Sequence, residues 1–286
     1  MSGPSRGSGG SSGPVTLNAL FMKQASYSED DIRGMLAAFQ KAHPDVTVQP
    51  TFVAYEALHD KIVISAPAGT YDVVLIDCIW PAELAGKNML LDVTDRYQQT
   101  WLDDILPGTL GSITYKDRRY GMPWIPGGKI FFYNTRMLKD AGVDETAMST
   151  WDGVLEAART LKAKKVVEHP LVWSWAHAEA MVCDYAQLLG AFGGRFLDDA
   201  GKAAFHQGGG LQALEWMRRT LDEGRAPLVA ADKAQYGSLI ERPQVVQYNA
   251  VSQEIQAGLQ SCLVGGTPAA QALSDAAAKV DRVIGG

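Results

Sequence analysis

Apolar positions in the first hundred residues switch between a period of two and a period near 3.6. Val15 to Phe21 reads as a strand. Ser28 opens a helix with Asp31 as its capping-box partner three residues on. Ile32, Met35, Leu36 and Phe39 then fall on one helical face, and Pro44 ends it. Val46 to Val53 alternates as a second strand, and Tyr55 to Ala66 predicts a second helix with Leu58, Ile62 and Ser65 inward. Tyr71 to Ile76, holding Val73-Val74-Leu75-Ile76, is a continuous apolar run, the pattern of a strand buried on both faces. Trp80 to Lys87 predicts a short helix with Pro81 in its first turn. This alternation implies a parallel sheet with helices on both faces, and ligands beyond the carboxyl ends of its strands. The residues placed there are Lys23, Gln24 and Tyr27, then Tyr55 and Glu56, then Asp77 and Trp80.

The stretch Arg119 to Asn134 breaks the pattern. Pro123 and Pro126 cannot donate to a sheet, and Gly127 and Gly128 permit a sharp change of direction before Lys129 to Tyr133 extends again. A kinked strip with Trp124 at its bend suits a crossing between two lobes; the spacing fits a wide hairpin inside one lobe equally well. Beyond it the chain is more helical. Thr150 caps a helix with Val154, Leu155, Ala158 and Leu161 inward, and Leu171 to Trp175 is a short apolar run. Helices follow at Ala178 to Leu189 and Leu211 to Leu221. Val251 to Leu263 and a last helix, with Thr267 as cap and Pro268 in its first position, complete the pattern.

Composition narrows the chemistry. The 286 residues carry 47% hydrophobic and 20% charged side chains, the balance of a globular protein with room for one large or two ordinary domains. A net charge of −6 offers no basic surface for nucleic acid, and no apolar run is long enough to span a membrane. Residues 1–14, rich in Gly and Ser, read as a flexible tail, either an expression linker or a tether following a removed signal. Cys78, Cys183 and Cys262 form no framework: one bridge with a free thiol, or three thiols, both fit. His43, His59, His169, His177 and His206 have no metal-ligand spacing, and no nucleotide-binding or hydrolase motif is present.

Tryptophan beside carboxylate is the chemical signal that stands out. Trp80 follows Asp77, Trp173 and Trp175 precede Glu179 and Asp184, and Trp124 sits at the bend. A sugar ring offers an apolar C–H face and a rim of hydroxyls, so it needs an aromatic plate together with hydrogen-bond acceptors. Trp151 and Trp216, on amphipathic helix faces, read as core. The same carboxylates allow a second reading, a carbohydrate-active hydrolase drawing a catalytic pair from Asp77, Glu179 and Asp184. A third is an engineered or truncated binding scaffold.

Several segments, in order over residues 15–235, resemble the extracytoplasmic solute-binding proteins of sugar ABC transporters, the group related to maltose-binding protein. They are Tyr55-Glu56-Ala57-Leu58-His59-Asp60-Lys61-Ile62, then Gly69-Thr70-Tyr71-Asp72 with the run ending at Asp77, and Arg119-Tyr120-Gly121-Met122-Pro123. Tyr133-Asn134, Thr150-Trp151-Asp152 and Trp173-Ser174-Trp175-Ala176-His177-Ala178-Glu179 complete the set. The resemblance implies a two-lobed periplasmic-binding-protein-like α/β fold, incomplete here, with a first lobe at 15–118, a hinge crossing at 119–128 and a second lobe at 129–286. It implies a sugar, an oligosaccharide by expectation, held between the lobes for delivery to a membrane permease. It implies no catalysis, no cofactor, a monomer, and an extracytoplasmic, lipid-anchored location. The ligand-binding residues carried over are Gln24, Tyr55, Asp77 and Trp80 from the first lobe. From the hinge and second lobe they are Trp124, Trp173, Trp175, Glu179 and Tyr248.

One departure accompanies the resemblance. After Gln235-Tyr236-Gly237-Ser238-Leu239-Ile240 the family continues with strands of the second lobe and helices returning to the first. Here Glu241-Arg242-Pro243-Gln244 leads straight into what resembles the last helical segment, Tyr248 to Ile284. About one small domain's worth of chain is missing. The expectation is an internal deletion near 238–243, with an impossible join there or, if the chain runs on continuously, a first-lobe sheet that exposes apolar surface.

Overall fold

The computed structural model describes residues 13–23, 27–125, 127, 129–222 and 242–285. The chain divides into two compact units, Met1–Ile125 and Pro126–Gly286.

In the first unit, β1 (Val15–Met22), α1 (Glu29–Ala42), β2 (Val46–Val53), α2 (Tyr55–Ser65), β3 (Val73–Val74) and α3 (Pro81–Gly86) follow in the expected order. The strands form a parallel sheet ordered β2-β1-β3. The α1 capping box is formed: Asp31 N–H donates to Ser28 Oγ at 3.1 Å, and Ser28 N–H donates to Asp31 Oδ2 at 2.8 Å. The core gathers Leu20 of β1, Ile32 of α1, Leu58 and Ile62 of α2, and Ile79, Trp80 and Leu84 around α3. Two short helices, α4 (Gln99–Asp104) and α5 (Pro107–Gly111), lead to a small antiparallel ribbon of β4 (Thr114–Tyr115) and β5 (Arg118–Arg119).

The third strand corrects the sequence reading. The run at 71–76 was expected to be a strand buried on both faces, yet β3 spans two residues and Val73 is 51% exposed. Its partner is β1, through Ala19↔Val73 and Leu20↔Val74, and among the described residues no strand pairs on its other side. A run of Val and Ile specifies burial only if neighbours exist to bury it. The helix above tells the same story. Of the apolar face of α1, Ile32 is buried while Met35 and Phe39 are exposed.

The second unit is helical among its described residues: α6 (Thr135–Asp140), α7 (Trp151–Ala163), α8 (Glu179–Ala191), α9 (Gly209–Asp222), α10 (Tyr248–Leu263) and α11 (Ala269–Gly285). Thr150 caps α7 by accepting from Gly153 N–H at 3.1 Å. The inward face is Val154, Leu155, Ala158 and Leu161, as its periodicity requires. One large core joins α7 through α11, with Tyr185, Trp216 and Phe205 wholly enclosed, and Tyr248 at the start of α10 is also buried. The helices α10 and α11 approach closely at Gly258, where an added Cβ would lie 2.6 Å from the Ala276 methyl. Cys78, Cys183 and Cys262 form no disulfide. The expected join near 238–243 lies largely outside the described residues, which resume at Arg242.

Candidate functional site

In the first unit, the carboxyl ends of the strands carry a row of aromatic rings. Phe21 and Phe52 are register partners at the ends of β1 and β2, and their rings stack at 5.7 Å. Trp124 meets Phe21 edge-on at 5.8 Å and stacks on Tyr27 at 5.3 Å, with 20° between the planes. The Tyr27 hydroxyl donates to Met22 C=O at 2.6 Å, fixing its ring over the end of β1. Burial pushes the Tyr27 phenol up, and the backbone hydrogen bond offsets this in part. Trp124 keeps 36% of its surface in solvent, so the row ends in an accessible indole.

A second aromatic group stands at the ends of β2 and β3. Tyr55, the first residue of α2, stacks on Trp80 at 5.8 Å and 17°. The His59 ring approaches Trp80 at 5.2 Å. Trp80 is only 2% exposed, and its indole N–H is buried with no hydrogen-bond partner among the described residues. Asp77, half-buried, accepts from Ile79 N–H at 3.3 Å and so shapes the turn that presents Trp80. Gln24 lies outside the described residues.

In the second unit, Trp173 and Trp175 stack at 5.2 Å and 18°, and Trp216 meets both edge-on. Each is 9% exposed and belongs to the hydrophobic core. The structure thus encloses two side chains that the sequence placed at a sugar-stacking loop, because Trp151, Trp216 and Phe131 converge on the same point. The intervening Ser174 N–H donates to Asp184 Oδ2 at 3.1 Å, while Asp184 Oδ1 takes the Lys129 ammonium. Burial pushes the Asp184 carboxyl above the usual range, and Lys129 works against that rise.

Glu179, the first residue of α8, is engaged on both oxygens. Oε1 accepts from Arg242 Nη1 at 2.7 Å and from the Tyr248 hydroxyl at 2.6 Å; Oε2 accepts from the Ser252 hydroxyl. Burial, with the Glu179 charge adding to it, pushes the Tyr248 phenol far up. Two expected ligand residues, Glu179 and Tyr248, are therefore brought together by each other. Glu179 and Asp184 both serve donors of their own unit, which is the chemistry of anchoring.

Sequence reasoning missed Phe21, Phe52, His59, Arg242 and Ser252 as neighbours of the candidate residues. The two phenylalanines were legible in principle, as the aromatic residues near the ends of adjacent parallel strands. Arg242 and Ser252 meet Glu179 from more than sixty residues away, and nothing local marks them. Among the described residues no group of three or more His, Cys, Asp or Glu is placed to hold a metal ion, and no helix is long and apolar enough to cross a membrane.

Comparison with known proteins bears on this geometry. Residues 25–259 match the family described as bacterial extracellular solute-binding protein. A probable ABC transporter-binding protein of Deinococcus radiodurans is 26% identical over 157 residues, covering 53% of this chain and 37% of the relative. The mannitol-binding protein of Pseudomonas aeruginosa is 23% identical over 189 residues, covering 64% of this chain and 43% of the relative. The chain thus spans about two fifths of the length of these curated relatives. Among solved structures, maltose-bound MalE3 of T. maritima aligns with a TM-score of 0.72 at 18% identity, covering 94% of this chain and 100% of that one. A tagatose-bound ABC transporter solute-binding protein of Thermotoga lettingae aligns at 0.76 and 18%, covering 94% and 99%. These neighbours set the fold as the two-lobed α/β class of the maltose-binding-like proteins. On the match across residues 25–259, the chain belongs to the family of bacterial extracellular solute-binding proteins.

Proposed function

We propose that this chain binds a sugar or a sugar alcohol outside the cytoplasm and delivers it to the membrane permease of an ABC importer. The observation that carries the reading is the aromatic row at the carboxyl ends of β1 and β2, within a chain of this family. Exposed Trp124 supplies an apolar plate of the kind a pyranose or polyol face needs, and Asp77, beyond the end of β3 in the same unit, is a carboxylate of the kind that accepts from hydroxyls. Relatives named for mannitol and for arabinooligosaccharides support the ligand class. The proposed site takes Tyr55, Asp77 and Trp124 from the first unit, with buried Trp80 behind Tyr55; the sequence's other candidates, Trp173, Trp175, Glu179 and Tyr248, serve the second unit's own core and anchoring network. A lipid anchor preceding the Gly/Ser tail and a monomeric state belong to the same proposal.

The test is a tryptophan-fluorescence titration against maltose, maltotriose, an arabinooligosaccharide, mannitol and ribitol. A saturable change with one class, lost in Trp124→Ala, supports the reading. A folded protein that responds to none of them sinks it.

A further inference from the structure

Tyr55 opens α2 and Trp80 caps the start of α3, yet they stand in parallel stack. Stacking alone, worth about 1 kcal/mol between aromatic rings, leaves an indole free to slide and tilt. A third ring restrains it. His59 lies one turn beyond Tyr55 on α2, on the same helical face, and packs on Trp80 at 58° to the indole plane. Its own orientation is set by a hydrogen bond between Nε2 and Glu83 Oε2 at 2.9 Å.

Glu83 is an unusual place for a charge. It sits three residues after Trp80, in the first turn of α3, and is only 6% exposed. A buried carboxylate costs stability unless partners meet both oxygens. Lys87 Nζ donates to Oε1 at 2.6 Å from the same helix, and His59 meets Oε2 from the neighbouring one. The carboxylate therefore ties the helix that carries Tyr55 to the turn that carries Trp80. A leucine at either position would pack as well without making that tie.

We propose that His59 and Glu83 are a positioning pair that fixes the tilt of buried Trp80 and, through the stack, the half-buried Tyr55 ring at the ligand site of the first unit. The inference rests on the reading of this end of the sheet as part of a sugar site. His59 touches Trp80 and Glu83 and acts on the ligand through them.

The experiment labels the full chain with 5-fluorotryptophan and follows the fluorine resonance of Trp80, assigned by its loss in Trp80→Phe. His59→Gln keeps a nitrogen donor able to reach Glu83; His59→Leu fills the space without one. The expected result is a Trp80 line shifted or split in His59→Leu and close to wild type in His59→Gln. Identical behaviour of the two variants, both native or both disturbed, overturns the pair. If His59→Leu does not fold, Glu83→Met carries the same test: an unmoved Trp80 line overturns it. Calorimetric titration with mannitol and maltotriose supplies the second arm. For a sugar that binds wild type, His59→Leu weakens affinity by roughly tenfold, the effect of one ordinary lost interaction, while His59→Gln restores most of it. Equal affinities in all three proteins overturn the role in the site. If neither sugar binds wild type, the ligand reading fails for those sugars, and the fluorine line still decides the pair.

Discussion

Replacing Glu179 by alanine separates anchoring from ligand binding. The carboxylate accepts from Arg242 at 2.7 Å, from Tyr248 at 2.6 Å and from Ser252. A carboxylate offers about four lone-pair sites, so three donors leave one site for a ligand hydroxyl. Arg242 and Glu179 side chains are each 17% exposed, so the pair is largely screened from solvent. Breaking a buried pair costs roughly 3–5 kcal/mol, and partial exposure places this one near the lower end. Tyr248, 1% exposed, and Ser252, 3% exposed, also lose an acceptor, at about 1 kcal/mol each where no new partner forms. Because the three donors share one carboxylate, the terms do not simply add, and the expected loss for Glu179→Ala is about 3–4 kcal/mol. Glu179→Gln keeps an acceptor oxygen without the charge and should lose about half as much. Urea unfolding followed by far-ultraviolet circular dichroism measures both. An unchanged urea midpoint in Glu179→Ala together with abolished sugar binding would refute the anchoring argument and make Glu179 a ligand acceptor.

Two tryptophans should behave oppositely. Trp175→Ala should cost about 3–5 kcal/mol, the range for a large enclosed aromatic, whereas Trp124→Ala should leave the melting temperature nearly unchanged and remove sugar affinity; differential scanning fluorimetry with and without sugar reads both. Gly258→Ala forces α10 and α11 apart at the Ala276 contact and should destabilise by about 1–3 kcal/mol despite alanine's helix preference, so a neutral or raised melting temperature would contradict the close approach. Asp184 has a carboxyl raised by burial above the ordinary 3.8, so as pH rises from that value the unfolded chain releases its proton before the folded chain does. Wild type should therefore lose stability relative to Asp184→Asn as pH climbs through that window, and a pH-independent difference in urea midpoints would count against it.

Much of the first unit's framework was legible because its signals are local. A capping box needs only Ser28 and Asp31, and a proline in a first turn needs only Pro81. The parallel order of the strands follows from the alternation of two periods. The apolar run alone misplaced Val73, because it does not report whether chain is present to cover it; the departure after Ile240 carried the other expectation, a first-lobe sheet with apolar surface exposed, and Val73 is exposed. The same limit applies to Met35 and Phe39: their helical period is correct, and their exposure reflects what does not pack on α1 among the described residues.

The candidate site was legible in its residue types more than in its geometry. Position beyond a strand drew attention to Tyr55, Asp77 and Trp80, since the end of a parallel strand is fixed by local pattern. The weight given to each tryptophan was harder to assign, because an indole at a loop end looks alike in sequence whether it faces solvent or four other rings. Trp173 and Trp175 became core through Trp151 and Trp216, whose own helices were read correctly as amphipathic. The meeting of those faces is a tertiary fact. Trp124 follows Pro123, which cannot donate to a sheet, and it keeps its exposure in irregular backbone with Tyr27 stacked on it and Phe21 edge-on. A preceding proline is a local signal of irregular backbone, and the sequence carries one beside the most accessible indole of the proposed site.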